Sequence, residues 1–238
     1  MSAHRYAFEA MPCGAVRLAV AETTVVCRPS GALWLEASRI LIVADLHLEK
    51  GSAFAARGQL LPPYDTRETL NRLDAEIAAL APRVLIFLGD SFHDGGGEAR
   101  LAADDHARVG DLATGRDLVW VVGNHDADGP RALPGEVVAD FVLEGLALTH
   151  EPRALAPPGQ IAGHLHPCVR VRARGASTRR RCFATDGERL ILPAFGAYAG
   201  GLNLTDPAFT PLFRRPPLAV VLGRDRAHAV GWGSLVPD

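Results

Sequence analysis

Short clusters of hard-metal ligands punctuate the chain in one order: Asp45-Leu46-His47, Gly89-Asp90, Gly123-Asn124-His125-Asp126, Thr149-His150 and Gly163-His164-Leu165-His166. Each arrives at the end of a short apolar run, and together they read as a two-metal phosphoesterase site. Two divalent cations about 3.5 to 4 Å apart can lower the pKa of a bound water, align it with the leaving group and neutralise non-bridging oxygens. Such a site needs one carboxylate shared by both ions, with imidazoles and further oxygens completing each set. Asp90 is the natural bridge, because it stands alone between clusters and follows the strand-like run Arg83-Val84-Leu85-Ile86-Phe87-Leu88. Asp45 and His47, two apart on an extended segment, are expected to point the same way and grip one ion together. Asn124, His150, His164 and His166 supply the remaining donors. A mixed carboxylate, amide and imidazole set suits manganese, iron or zinc better than calcium, and ligand type leaves the choice among the three open.

Across all of these clusters the sequence resembles the calcineurin-like metallophosphoesterases. The resemblance assigns Asp45, His47, Asp90 and His166 to one metal, and Asp90, Asn124, His150 and His164 to the other. It makes His125 a catalytic residue rather than a ligand, set over the scissile phosphate to stabilise it or to protonate the leaving oxygen. Asn124 would help hold the phosphate, and Asp126 would orient the His125 ring. An imidazole suits general acid work near neutral pH.

A narrower resemblance rests on Ala44-Asp45-Leu46-His47-Leu48-Glu49-Lys50-Gly51, Leu61-Pro62-Pro63-Tyr64-Asp65-Thr66, Gly89-Asp90-Ser91-Phe92-His93-Asp94 and Leu192-Pro193-Ala194-Phe195-Gly196-Ala197-Tyr198. These strings look like the bacterial ligase-associated DNA damage response endonucleases, which are encoded beside a DNA ligase, a helicase and an exonuclease. The resemblance implies a manganese-dependent nuclease acting on single-stranded DNA in repair, with those proteins as pathway partners. Many members of the larger family carry a second Asp followed by Arg after the Gly-Asp step. This chain has His93-Asp94 there, which argues against a phosphoprotein phosphatase and leaves His93 without an assigned role.

The elements that must position these residues follow from periodicity and turn chemistry. Strands are expected at Ala15 to Val20, Ala32 to Glu36 and Ile40 to Ala44. A helix should follow Pro62-Pro63, with Asp65 as its cap and Glu68 completing a capping box. Leu70, Leu73, Ile77 and Leu80 share one face of it, and Pro82 ends it. Val84 to Leu88 is a buried-type strand that delivers Asp90. Gly95-Gly96-Gly97 leads into a second helix burying Leu101, Val109 and Leu112, and Leu118 to Val122 delivers Asn124 and His125. Beyond this point, Val137 to Leu143 and Leu146 to Thr149 form a hairpin about Glu144-Gly145. Val169 to Arg174, Cys182 to Thr185, Arg189 to Leu192 and Leu218 to Leu222 are the later strands. The expected fold is α/β, two facing mixed β-sheets flanked by helices, as the resemblance also implies, in one domain spanning residues 1–238.

Composition constrains this loosely. The chain has 238 residues, 48% hydrophobic, enough for one sizeable core. Its net charge of -2 gives no global attraction to nucleic acid, so DNA binding must come from a local patch. The candidate patch is Arg170, Arg172, Arg174, Arg179, Arg180 and Arg181. The first three alternate with Val171 and Ala173, which on a strand puts three guanidiniums on one face to track phosphates. The plain alternative is a solvated hairpin. Phe195 and Tyr198 could stack on bases, although core packing is the commoner use. Cys13, Cys27, Cys168 and Cys182 lack disulfide-like or Cys-x-x-Cys spacing and are expected to be reduced thiols in a cytoplasmic protein. No run approaches a membrane span. His4, His106 and His228 read as ordinary structural residues. A phosphodiesterase for small or cyclic nucleotides, and a binding module that keeps the scaffold without the chemistry, are the competing functions.

Overall fold

The computed structural model describes residues 6–173 and 176–238. The first sheet begins as an antiparallel meander of β1 (Phe8–Ala10), β2 (Val16–Val20), β3 (Thr23–Cys27), β4 (Leu33–Leu35) and β5 (Ile40–Val43). After β5 come the helices α1 (Lys50–Ala55) and α2 (Asp65–Leu80), and the sheet continues in parallel with β6 (Val84–Leu88). Helices α3 (Gly97–Arg100) and α4 (Ala103–Asp111) lead to β7 (Asp117–Val121), and β8 (Glu136–Val138) adds a further parallel strand. The expected single strand from Val137 to Leu143 therefore breaks at Ala139-Asp140. β8 pairs in the first sheet, whereas β9 (Phe141–Leu143) and β10 (Leu146–Thr149) open the second. Between them Glu144 and Gly145 both have positive φ, 51° and 79°, the geometry of a two-residue hairpin turn.

The second sheet is completed by β11 (Gln160–Ala162), β12 (Cys168–Ala173), β13 (Ala176–Thr185), β14 (Arg189–Ile191), β15 (Leu218–Leu222) and β16 (Ala227–Val230). β10, β11 and β14 run parallel, and the other pairings are antiparallel. Alternation along the strands builds the layers. Ile86, Leu88, Val119 and Val121 face Leu148, Ile161, Phe183 and Val220 between the sheets. Leu85, Phe87, Leu118 and Trp120 point outward, onto Leu70, Leu73, Val109 and Leu112 of the helices and the turn ending α4. The Phe87 and Trp120 rings stack at 3.9 Å.

The α/β sandwich is thus as the sequence implies, with differences in detail. The outer face of the second sheet, around Cys182, Ala184 and Val221, is covered by Leu204, Phe209 and Leu212. These flank or lie in a 3-10 turn, Pro207–Leu212, whose two prolines oppose a regular α-helical ladder. The helix expected after Gly95 is split into α3 and α4. Nor does Asp65 cap α2: it is the first helical residue, and its carboxylate accepts the Gly51 amide at 3.0 Å, tying α2 to α1. Among the described residues no helix is long and apolar enough to cross a membrane, and all four cysteines are free.

Candidate metal centre

The ligand-type residues lie just beyond the C-terminal ends of β5, β6, β7, β10 and β11, the position at which parallel strands present sites in open α/β sheets. Their backbone is unusual. Asp45, His47, Asp90, His164 and His166 have φ of 54°, 45°, 47°, 69° and 47°. Left-handed backbone at a non-glycine residue costs of order 1–3 kcal/mol and persists only where surroundings enforce it. Here the enforcement is visible. The amides of Asp45, His47 and Leu48 donate to the carbonyls of Gly89, Asp90 and Ser91 at 3.1, 2.9 and 2.9 Å, zipping the two loops together. Phe195 and Gly196 donate to the carbonyls of Ala44 and Asp45 from the other side. Asp45 and His47 therefore do not sit on an extended segment. They converge because each is turned into the left-handed region, so that spacing of two along a strand is not what aligns them.

Three glycines of the motifs permit the close approach. A Cβ at Gly89 would strike the His150 ring, one at Gly123 would strike the Asp90 carboxylate, and one at Gly163 would come within 2.6 Å of Asp45 Oδ2.

The donor atoms gather in two groups. Asp45, His47 and His166 each offer an atom within 4.8 Å of the others, and so do Asp90, His150 and His164. His166 Nε2 is 3.2 Å from Asp45 Oδ1 and 3.3 Å from His47 Nε2. His150 Nε2 is 3.0 Å from Asn124 Oδ1 and 3.2 Å from His164 Nδ1. Asp90 Oδ2 lies 3.4 Å from His150 Nε2 and 3.8 Å from His47 Nε2, so one carboxylate oxygen stands between the groups.

Electrostatics favour a cation. Burial holds the His47 imidazole at a pKa of about 3 despite the Asp90 charge, which keeps it neutral with a lone pair to offer. Burial also pushes His164 down. For Asp90, burial alone would raise the pKa, but the hydrogen bond and charge of His150 and the His125 amide outweigh it and bring it to about 2. His150 moves the opposite way: burial lowers it, and Asp90 and Asp45 more than compensate. The His47 and His164 rings, held neutral, with the ionised Asp90 carboxylate and the Asn124 amide oxygen, belong to a donor set that fits two divalent transition-metal ions.

His125 and Asn124 are exposed at the rim of this cluster, and Asp90 Oδ1 accepts the His125 amide at 2.9 Å. His125 Nδ1 is 2.7 Å from the His93 carbonyl oxygen. A carbonyl only accepts, so Nδ1 carries the hydrogen and Nε2 is left for other work, 4.0 Å from Asp90 Oδ2. The orienting group is thus the His93 carbonyl, not Asp126. The Asp126 carboxylate is turned inward, accepting the amides of Gly123 at 3.0 Å and Phe92 at 3.1 Å, and burial raises its pKa to about 6. It fixes the shape of the Gly-Asn-His-Asp turn. The His93 ring, unassigned by sequence, forms a third nitrogen cluster with His47 and His125. Its position three residues after Asp90 is the signal that marks it.

The arginines part company. Arg174 lies outside the described residues, and so does the Arg172 side chain. Arg170 and Arg179 face each other across the β12–β13 ladder and share Asp238, at 3.4 and 3.3 Å. Arg179 also donates to the Gly201 carbonyl at 2.6 Å, and Arg181 donates to the carbonyls of Ala194, Ala197 and Ala199 at 2.9 to 3.2 Å. Among the described residues, Arg170, Arg179 and Arg181 are thus engaged by the chain's own acceptors. Phe195 is fully buried against the helical layer.

The profile of the calcineurin-like phosphoesterases matches residues 38–168, more than half of the chain and a span holding every clustered ligand. The chain belongs to the calcineurin-like phosphoesterase family. As a member it is a metal-dependent phosphoester hydrolase. The solved structure of Pseudomonas putida nuclease MPE is 31% identical, with a TM-score of 0.68, over 91% of this chain and 100% of that one. This similarity agrees with the narrower resemblance to the ligase-associated endonucleases. Yfce, a phosphoesterase from E. coli, is 16% identical with a TM-score of 0.40 over 81% of this chain and 98% of that one, too remote to add to the assignment. No curated protein sequence matches significantly.

Proposed function

We propose that this phosphoesterase is a two-metal phosphodiesterase that cleaves single-stranded DNA internally, in DNA repair. The observation that carries the reading is the position of Asp90 Oδ2 between two separate donor groups. The nucleic-acid substrate is supported by the likeness to a nuclease across the whole of that relative. Asp45, His47 and His166 would hold one ion, and Asn124, His150 and His164 the other, with Asp90 reaching both. When bound, the ions would neutralise the non-bridging oxygens and lower the pKa of the attacking water. Manganese is the metal the subfamily resemblance favours.

The chain's own residues do the rest. Asn124 and His125 stand at the open rim where a phosphodiester enters. With its Nδ1–H fixed on the His93 carbonyl, His125 aims Nε2 at the departing deoxyribose oxygen and serves as its general acid. Asp126 holds the turn that carries both residues. The cytoplasm, and a pathway shared with a DNA ligase, a helicase and an exonuclease, complete the proposal.

The test is manganese-dependent cleavage of a closed single-stranded DNA circle. Linearisation that needs metal and falls about 10²- to 10⁴-fold in His125→Ala, with bound metal retained, is the expected result. An intact circle beside rapid hydrolysis of a chromogenic phosphodiester would reject DNA and favour small nucleotides. Loss of metal from His125→Ala would make that residue a ligand.

A further inference from the structure

A depression of about 610 Å³ opens where β13, α2 and the turns after β3 and β15 meet. Its lining includes Arg72, Arg179, Arg180, Arg181 and Arg224, with Glu76 the one carboxylate among them. That carboxylate is already taken: Arg28 Nε sits 2.8 Å from Glu76 Oε2, in a pair at most 14% exposed on either side. The charge left facing the groove is therefore basic.

The strand geometry explains how it arises. Arg179 and Arg181 share the β13 face of Phe183, which packs between the sheets, so Arg181 enters the seam of the sandwich. There Arg181 donates to the Ala194 carbonyl at 2.9 Å, and Arg72, from α2, donates to the Phe195 carbonyl at 2.8 Å. Two half-buried guanidiniums are thus pinned on adjacent residues of one loop, and neither has a carboxylate partner among the described residues. Burial, and then the charge of Arg72, bring the Arg181 pKa down to about 10. An anion placed between them would relieve the repulsion, and the fork of guanidinium donors matches phosphate oxygens. Arg180 and Arg224 are exposed at the same groove.

The loop that pins these arginines also holds the candidate metal centre. Its Phe195 and Gly196 amides donate to the carbonyls of Ala44 and Asp45. A depression on the other flank, beside Asn124 and His125, is lined by the carboxylates of Asp94, Glu98, Asp126 and Asp128 against the single guanidinium of Arg131, a net acidic lining that disfavours a polyanion.

We propose that the groove lined by Arg72, Arg180, Arg181 and Arg224 is a phosphate-binding subsite for the nucleic-acid strand, engaging phosphodiesters away from the one being cleaved. The proposal rests on the nuclease reading above. It assigns to Arg72 and Arg224, from α2 and the turn after β15, a role shared with the arginines of β13.

The experiment compares the wild-type protein with the double variant Arg180→Ala, Arg224→Ala, whose sites are exposed. Binding of a fluorescent single-stranded oligodeoxynucleotide is measured without metal across a salt series. Each lost contact should remove about 0.7 from the slope of log affinity against log salt, so the pair should flatten it by about 1.4. Hydrolysis of a small chromogenic phosphodiester should not change. An unchanged slope with matched melting temperature would overturn the groove while leaving a binding, cleaving wild type intact. A wild type that hydrolyses the chromogenic diester yet binds no oligonucleotide would instead reject the nuclease reading. Equal displacement by polyglutamate of matched charge would give the groove to an acidic protein segment and overturn the nucleic-acid occupant.

Discussion

The ligand loops and the β12–β13 hairpin treat their polar side chains in opposite ways. At the loops, Asp45, His47, Asp90, His164 and His166 all adopt left-handed backbone, and the imidazole nitrogens of His47 and His166, and of His150 and His164, lie 3.3 and 3.2 Å apart. In the hairpin the backbone is a regular antiparallel ladder, and the guanidiniums of Arg170, Arg179 and Arg181 end on carbonyls, a thiol or Asp238. Strain without internal satisfaction marks a place completed by something from outside, whereas regular backbone with satisfied side chains marks a place that completes itself. By that criterion a row of arginines in the sequence is by itself a weak pointer to substrate.

The strongest test of the comparison is Asp90→Asn. It removes the carboxylate whose Oδ2 lies within 3.8 Å of the His47 and His150 Nε2 atoms, one in each donor group, and the expected outcome is metal-independent background activity on a chromogenic diester. Metal analysis should show the loss of at least one ion. Retention of both ions with full activity would mean that Asp90 is not the bridge, and that its low pKa serves only His150 and His47.

Asp126→Ala should act more gently, through shape. The variant leaves the amides of Gly123 and Phe92 buried without their acceptor, at a cost of roughly 1–3 kcal/mol in stability by denaturant unfolding. Activity should fall about 10- to 100-fold, as for groups that support ligands rather than bind metal. A loss as deep as that of His125→Ala, without loss of stability, would return Asp126 to the proton-transfer machinery.

How much of this was legible in the sequence depends on the range of the forces involved. The ligand clusters were legible because each follows a strand whose apolar run is self-evident, as Val84–Leu88 is before Asp90. The hairpin at Glu144-Gly145 was legible because its turn is local. A short strand such as β3 was not: it begins with Thr23-Thr24 and offers only Val25, Val26 and Cys27 to burial. The break between β8 and β9 was hidden for a different reason. Val137 to Leu143 is compatible with one strand, and only the packing of two sheets decides that it serves both. The left-handed turns at Asp45 and His47 depend on amide bonds to Gly89 and Asp90, more than forty residues away. Asp126 was misread because its acceptor role faces Phe92 and Gly123, which adjacency to His125 obscures.

The arginines show the same limit most clearly, and Arg170→Ala is the finest test of it. Asp238 is 68 residues from Arg170 in sequence, and the pair lies at 3.4 Å with both side chains about two-fifths exposed. An exposed ion pair of this kind contributes about 0–1 kcal/mol, and less as salt rises. Removing Arg170 should therefore shift stability by no more than that. It should leave the salt dependence of oligonucleotide binding at the wild-type slope, because its charge is already offset by Asp238. If the slope instead falls as far per residue as in the Arg180, Arg224 double variant, then the hairpin face does engage phosphates. Internal pairing would then be no guide to which arginines meet substrate, and the contrast between the two regions would have to rest on backbone strain alone.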